Sequence, residues 1–449
     1  SLSAASSVSR ADGRRAMQPN ARRAGCLLCA TRAVVQACRM VWPPLVVLIA
    51  AEFSLSLVEQ ATLLSGFPLG YMCTQVVGGI AADRFGGKPV QTASLAAFAL
   101  VMLCAATARS EQLYFLYLIA GLCAGPQQPA YSAMSAAWFA QHELGRLSAF
   151  ADTATVAGEL FATVGGPLLA EFVGWRVACA LLGVATGAYT LLWAALAASK
   201  PQEGALKEKV KDARRVRTGV HERPVGTPPR QSLVARAALS LSALRHPALW
   251  ACVVQHMAFN GVKYTFSAWM PTYYARKFDL SPAQSAKFLG IAQLVGLASQ
   301  FGWARVERFI LAARAGPAVN AQPSVASLLV SRRAFAAAGF LLMGCCAFGL
   351  SIVSTDWGTC LLLCGISSGA SAHSFGFKAN YLDLSSRHSG LYMGVGNTLA
   401  TFMTLVMPLG AAHILENNDW TMLFSIAAGM ALIGLVAGTW CTSVERRAI

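Results

Sequence analysis

Apolar and polar stretches alternate along this chain on a scale much longer than the repeat of a soluble helix or strand. Apolar runs of about 20 residues occupy 27–51, 61–82, 90–107, 113–135, 148–170, 176–197, 248–270, 284–304, 334–353, 358–379, 390–411 and 420–441. At about 1.5 Å per residue, each run is long enough as a helix to cross the hydrocarbon core of a bilayer. The pattern predicts an all-α, multi-pass integral membrane protein with twelve transmembrane helices. Lipid offers no partner to a backbone N–H or C=O, so polar interruptions belong at the membrane surface. The longest of them, 199–246, carries Lys207, Lys209, Lys211, Arg214, Arg215 and Arg217, then Pro224, Pro228 and Pro229. Nothing in it can bury a core, so it reads as a linker with room for an amphipathic helix around 203–217. It divides the runs six and six. The expected segments are a basic tail (1–23), a six-helix bundle (24–198), the linker (199–246), a second six-helix bundle (247–443) and a short tail (444–449).

A second interruption is short and dense. Gly78-Gly79-Ile80-Ala81-Ala82-Asp83-Arg84-Phe85-Gly86-Gly87-Lys88 reads as a tight charged turn between the second and third runs. Gly302-Trp303-Ala304-Arg305-Val306-Glu307-Arg308 repeats it in degraded form after the eighth run, the matching place in the other half. Two related bundles around a central site are the architecture this predicts.

Composition supports the membrane class: 55% of the 449 residues are hydrophobic and 12% charged, which a soluble domain does not show. The net charge of +16 raises the question of nucleic acid. Placement answers it. With both termini on one side, that side collects most of the 36 Lys and Arg residues, among them Arg14, Arg15, Arg84, Lys88, Arg146, those of the linker, Arg332, Arg333 and Arg446. The other side shows Arg109, Arg176, Arg276 and Lys277. That asymmetry orients the chain with both termini on the cytosolic side and makes lipid headgroups, not nucleic acid, the partner of the surplus charge. The 13 cysteines mostly sit inside apolar runs as small hydrophobes, and no Cys/His spacing suits a metal. The Ser-, Ala- and Arg-rich first 23 residues fit either a transit-type segment or a plain basic tail.

Three stretches are more specific. Trp269-Met270-Pro271-Thr272-Tyr273-Tyr274 closes the seventh run. Asn380-Tyr381-Leu382-Asp383-Leu384-Ser385-Ser386-Arg387-His388-Ser389-Gly390 links the tenth and eleventh, and Met393-Gly394-Val395-Gly396-Asn397-Thr398 follows. With the turn at 78–88, these resemble the anion:cation symporter family of the major facilitator superfamily, which includes plastid-type phosphate transporters, vesicular glutamate transporters and sialin-like carriers. The resemblance covers about residues 30–445. It implies the major facilitator fold and a monomeric carrier of a small anionic substrate, in a plastid envelope or another organelle membrane. It also implies a gating cluster: Asp83, with Gly79, Arg84, Gly86 and Lys88, capping a helix start near Ser389–Gly390 of the opposite bundle, joined by Glu143 and Arg146 and by Asp383 and Asn397. The chain departs from the family in span 4, where Tyr117 and Ala124 stand in place of a common Arg and Glu. Both the usual ion coupling and the usual substrate are therefore open.

Charges inside apolar runs cost about 2.5–3.5 kcal/mol each and call for a reason. Arg39 lies midway through the first run beside Pro43-Pro44, and Lys263 lies in the seventh, its counterpart in the other half. Across a pseudo-two-fold axis they can approach one cavity and hold phosphate or carboxylate, or each can pair with a structural acid. Tyr264 and His256 are further candidates on the same run. Glu159, with Asp152 seven residues before it, is the candidate coupling group, either taking up H+ or Na+ or serving as a fixed counter-ion. Lys378 is expected to snorkel to the cytosolic end of span 10.

The expected function is secondary active transport of inorganic phosphate or a small organic anion with H+ or Na+, without a cofactor. The alternatives are an anion exchanger without ion coupling and a non-transporting receptor or scaffold on the same fold. No nucleophile constellation, paired carboxylates or phosphate-cradling loop after a strand suggests an enzyme.

Overall fold

The computed structural model describes residues 19–139, 141–198, 245, 247–314, 324–384, 389–417, 419–440 and 442–443. The start of the basic tail, nearly all of the linker with its expected amphipathic helix, and Ser385–His388 lie outside the described residues. Among the described residues the chain forms α-helices and no strand. In the first half these are α1 (Pro19–Met40), α2 (Trp42–Phe53), α3 (Leu57–Phe85), α4 (Gly87–Ala105), α5 (Ser110–Ala124), α6 (Gln127–Trp138), α7 (Gln141–Leu160), a π-helical turn (Phe161–Gly165) and α8 (Gly166–Leu196). The second half follows with α9 (Pro247–Phe278), α10 (Pro282–Ala313), α11 (Val325–Leu350), α12 (Asp356–Ala372), α13 (Phe377–Leu384), α14 (Ser389–Glu416) and α15 (Trp420–Trp440).

The helices pair in the same order in both halves. In the first, α1 packs on α7, α3 on α5, and α4 on α8; in the second, α9 packs on α14, α10 on α12, and α11 on α15. Counted as membrane crossings, each half joins its first to its fifth, second to fourth and third to sixth. This is the two-bundle major facilitator arrangement. The halves meet along α3 with α14, along α10 with α7, α8 and the π turn, and along α2 with α9.

Seven described segments are long and apolar enough to cross a membrane by length and composition: 20–53, 87–105, 150–196, 325–350, 356–381, 394–416 and 420–440. The segment 150–196 holds two crossings, reversed at Gly174 (φ 79°). Crossings two, four, seven and eight fall short of that measure. The fourth is split between α5 and α6, and α9 carries Gln255, His256, Asn260 and Lys263 on surfaces turned into the protein. Large apolar side chains such as Phe172, Leu191, Phe309, Leu361 and Trp440 stand exposed on the outer surface, where lipid covers them.

Several helices depart from the straight spans expected. The stretch 78–88 is not a loop: α3 stays helical through Phe85, and the chain reverses at Gly86 alone. Gly86 has φ 85°, a conformation that costs a residue without Cβ nothing, and its N–H still bonds Ala82 O at 3.0 Å. The related stretch 302–308 lies wholly inside α10. Span 4 breaks at Gly125-Pro126 and span 10 at His373–Gly376. Irregular backbone at this depth is tolerated where it is buried in protein or lines a cavity, and both breaks sit beside one. Gly121 sets the spacing of α3 and α5: a Cβ there would collide with the Phe67 carbonyl.

Candidate functional site

A cavity of about 1410 Å³ lies between the two halves, with Arg39, Glu159, Lys263, Asp152 and Lys378 among its walls. Arg39 is the last basic residue of α1, one turn before Pro43-Pro44. Proline lacks an N–H, so Pro43 leaves the Arg39 carbonyl without its helical donor. The Tyr117 hydroxyl replaces it, donating to Arg39 O at 3.1 Å from α5. Tyr117 is held by stacking on Trp42, centroids 4.6 Å apart, and by Phe67 at 5.3 Å. Where the family commonly has an Arg, this chain has a residue that repairs the backbone under its own Arg39.

The Arg39 guanidinium projects into the cavity between three rings: Phe67 at 4.9 Å, Tyr264 at 5.2 Å and Tyr71 at 5.8 Å. Its Nη2 donates to Tyr264 Oη at 3.0 Å, a contact from the first half to the second. No carboxylate lies within ion-pair distance among the described residues. Desolvated cation–π contacts of about 2 kcal/mol offset much of the insertion cost, so the guanidinium can persist in the cavity without a counter-ion. Of its five N–H donors, one is used by protein among the described residues.

Lys263, from α9, behaves differently. Its Nζ stands 3.5 Å from Glu159 Oε2 of α7, again across the halves. Gln36 Nε2 donates to the same oxygen at 3.5 Å. The backbone around Glu159 is special: the π turn begins two residues later, and Thr163 Oγ1, inside that turn, donates to Glu159 O at 2.9 Å. Gln293 Nε2 of α10 donates to Thr163 Oγ1 at 2.8 Å, tying the turn to the other half. π turns occur often where a helix aims a functional side chain. Tyr264 thus contacts Arg39, and its ring lies 5.7 Å from the Lys263 ammonium.

The remaining candidates divide. Asp152 and His256 line the same cavity, His256 buried with its ring 5.1 Å from Phe377. Asn397 also lies on the cavity wall, donating from Nδ2 to Gln75 Oε1 at 3.3 Å, a bridge between α14 and α3. Asp383 is bound within its own half: Arg332 donates to Asp383 Oδ2 at 2.6 Å and to Glu307 Oε1 at 2.7 Å, clamping α13, α11 and α10. Gly79 and Arg84 lie in the last turns of α3, Arg84 exposed with its guanidinium 5.3 Å from the Phe85 ring; Lys88 stands in the first turn of α4. The side chains of Asp83, Glu143 and Arg146 lie outside the described residues.

Two cations were misread or missed. Lys378 does not snorkel outward: it lines the cavity with its ammonium 4.6 Å over the Phe259 ring. The break at His373–Gly376 restarts the helix at Phe377 and re-aims its first turn inward. Arg32 also lines the cavity, donating to Thr155 Oγ1 at 3.2 Å and to Gln128 Oε1. Its place seven residues before Arg39 was the available signal.

Comparisons with known proteins agree on the class. The Major Facilitator Superfamily family model matches residues 27–319. "Probable anion transporter 4, chloroplastic" of Oryza sativa subsp. japonica is 25% identical over 86% of this chain and 62% of its own length. The chain thus spans less than two thirds of that relative. The chloroplastic sodium-dependent phosphate transport protein 1 of Arabidopsis thaliana is 26% identical over 86% of this chain and 72% of its own, and human sialin is 24% identical over 84% and 74%. Among solved structures, an inward-facing, unoccupied bacterial homolog of the human lysosomal transporter Spinster superposes with a TM-score of 0.68 at 12% identity, covering 94% of this chain and 96% of that one. At that identity the likeness speaks for the fold alone.

Proposed function

Because the chain belongs to the major facilitator superfamily, we propose that it is a secondary active transporter of inorganic phosphate or a small organic anion, driven by H+ or Na+. The observation that carries this reading is Arg39, a guanidinium boxed by rings with no carboxylate in ion-pair reach among the described residues, facing Lys263 of the opposite half across one cavity. The Arg39 fork suits a planar carboxylate or a phosphate face, and Lys263 supplies a point charge. Plant relatives whose names specify anion and phosphate transport support the substrate class.

The coupling reading starts from the Lys263–Glu159 pair. An arriving anion competes with Glu159 for the ammonium. A Glu159 so released is a carboxylate in a cavity, open to H+ or Na+, and the loaded, charge-compensated site permits the halves to rock. Gating by the 78–88 helix end and its partners follows from the resemblance. The replacement of the family's span 4 Arg and Glu by Tyr117 and Ala124 favours one second reading: exchange of anions without ion coupling.

The test is uptake of labelled phosphate and labelled glutamate into proteoliposomes, with proton and sodium gradients imposed separately. Gradient-driven accumulation that disappears in Arg39→Ala is the expected result. Arg39→Ala uptake equal to wild type ends the site assignment, and counterflow indifferent to both gradients selects the exchanger.

A further inference from the structure

Three helices that border the cavity each place a second polar side chain seven residues before the one already described. Arg32 precedes Arg39 on α1, Asp152 precedes Glu159 on α7, and His256 precedes Lys263 on α9. Seven residues is about two helical turns with about 20° of drift, so the second set faces the same way about 10 Å along the axes. All three helices run in the same sense from the side that carries the basic linker, so the second set forms a tier on that side. Lys378 joins it from the first turn of α13.

The two tiers have the same charge inventory. Arg39, Lys263 and Glu159 make one; Arg32, Lys378 and Asp152, all on the same cavity wall, make the other. Each has two cations and one carboxylate. In the second tier the charges are not consumed by each other. Among the described residues neither Asp152 nor the Lys378 ammonium has an ion-pair partner within 4 Å; Lys378 rests on the Phe259 ring face, and Arg32 is held by neutral acceptors and the Tyr131 ring at 5.5 Å. A structural counter-ion pair would have closed.

We infer that Arg32, Lys378 and Asp152 form a second anion-binding station, and that the cavity takes an organic anion with two separated anionic groups, one at each tier. The inference rests on the reading of Arg39 as substrate anchor and narrows it. A single compact anion compensates one tier and leaves the other with its surplus positive charge inside the membrane. Inorganic phosphate carries both charges on one centre and cannot reach both tiers. A flexible dianion can, and Val35, Val156 and Phe259, which line the cavity between the tiers beside Gln36 and Asn260, leave room for an apolar spacer.

Competition in proteoliposomes tests this on the unaltered chain. Uptake of labelled adipate is measured against unlabelled malonate, succinate, glutarate, adipate and suberate, with butyrate and inorganic phosphate alongside. Inhibition is expected to strengthen with diacid length, suberate surpassing malonate by about tenfold or more, as a second charge-assisted contact implies. Lys378→Met and Arg32→Gln should each bring the suberate-to-malonate ratio toward one. A flat length series, or phosphate competing as well as the longest diacid, overturns the inference, as does a ratio unmoved in both variants. Arg39→Ala separates the two levels of the argument. If it takes up anions as wild type does, the anchor reading itself fails; if it abolishes uptake while the length series is flat, the second station alone fails. Arg39-dependent phosphate uptake with no diacid uptake likewise removes only the second station.

Discussion

At the residue scale the organising fact is that buried charge needs a reason, and the chain supplies two kinds. Glu159 and Lys263 compensate each other across the halves at 3.5 Å. Arg39 is instead compensated by ring faces and one hydroxyl, on a backbone that Pro43 would leave defective without Tyr117. Tyr117→Phe isolates that repair. It keeps the ring stack on Trp42 but strips the donor from a buried carbonyl, a loss of about 1–3 kcal/mol. Detergent-solubilised protein is expected to melt at a lower temperature, and anion KM to rise as Arg39 loosens; an unchanged melting curve and KM would show that water serves the carbonyl equally well. Arg39, Lys263 and Glu159 were legible because each interrupts a long apolar run, where a charge stands out. Arg32 and Lys378 were not, because near the ends of runs a basic residue is already explained by topology or snorkelling. For Lys378 only the local backbone, a broken span 10, tells which way the residue turns; for Arg32 the seven-residue spacing from Arg39 was the sign that went unread.

At the scale of elements, apolar periodicity located the helices, and it failed at their interruptions. Gly125-Pro126, the π turn at Phe161–Gly165 and the break at His373–Gly376 lie inside apolar runs and leave no trace in hydropathy. At the π turn Thr163, from the turn itself, donates to Glu159 O, and Gln293 of the neighbouring α10 donates to that hydroxyl. The reverse error occurred at 78–88, where charge and glycine suggested a loop. Asp83 and Arg84 lie instead in the last helical turn of α3 and Lys88 in the first of α4, and one left-handed glycine suffices for the reversal. The helical backbone at Asp83 gives the gating reading a clear consequence. Asp83→Asn should keep its expression and gel-filtration profile while losing most uptake, because an amide carries no charge to set against a helix N-terminus. Wild-type uptake in that variant would leave the cluster a purely structural role.

At the scale of the whole molecule the two halves share one pairing order, and what matters is where they touch. On the side away from the basic linker, Ser281 Oγ before α10 donates to Glu171 Oε1 at the start of α8, 3.4 Å apart, and Gly290 packs against Val164. Toward the other side the direct polar bridge described is Asn397 to Gln75, within the cavity wall. A rocking transporter must break the first set to release substrate on that side. Cysteines at Glu171 and Ser281, joined by a short thiol cross-linker in a background lacking the exposed native cysteines, should therefore stop transport completely. Anion protection of the cavity should survive, because the site proposed at Arg39, Lys263 and Glu159 needs no separation of α8 from α10. The measurement is uptake before and after cleavage of the linker, paired with substrate-dependent thermal stabilisation of the cross-linked protein. Transport that continues through the closed linker would mean that these contacts do not part during the cycle, and the alternating-access reading would have to move its hinge elsewhere.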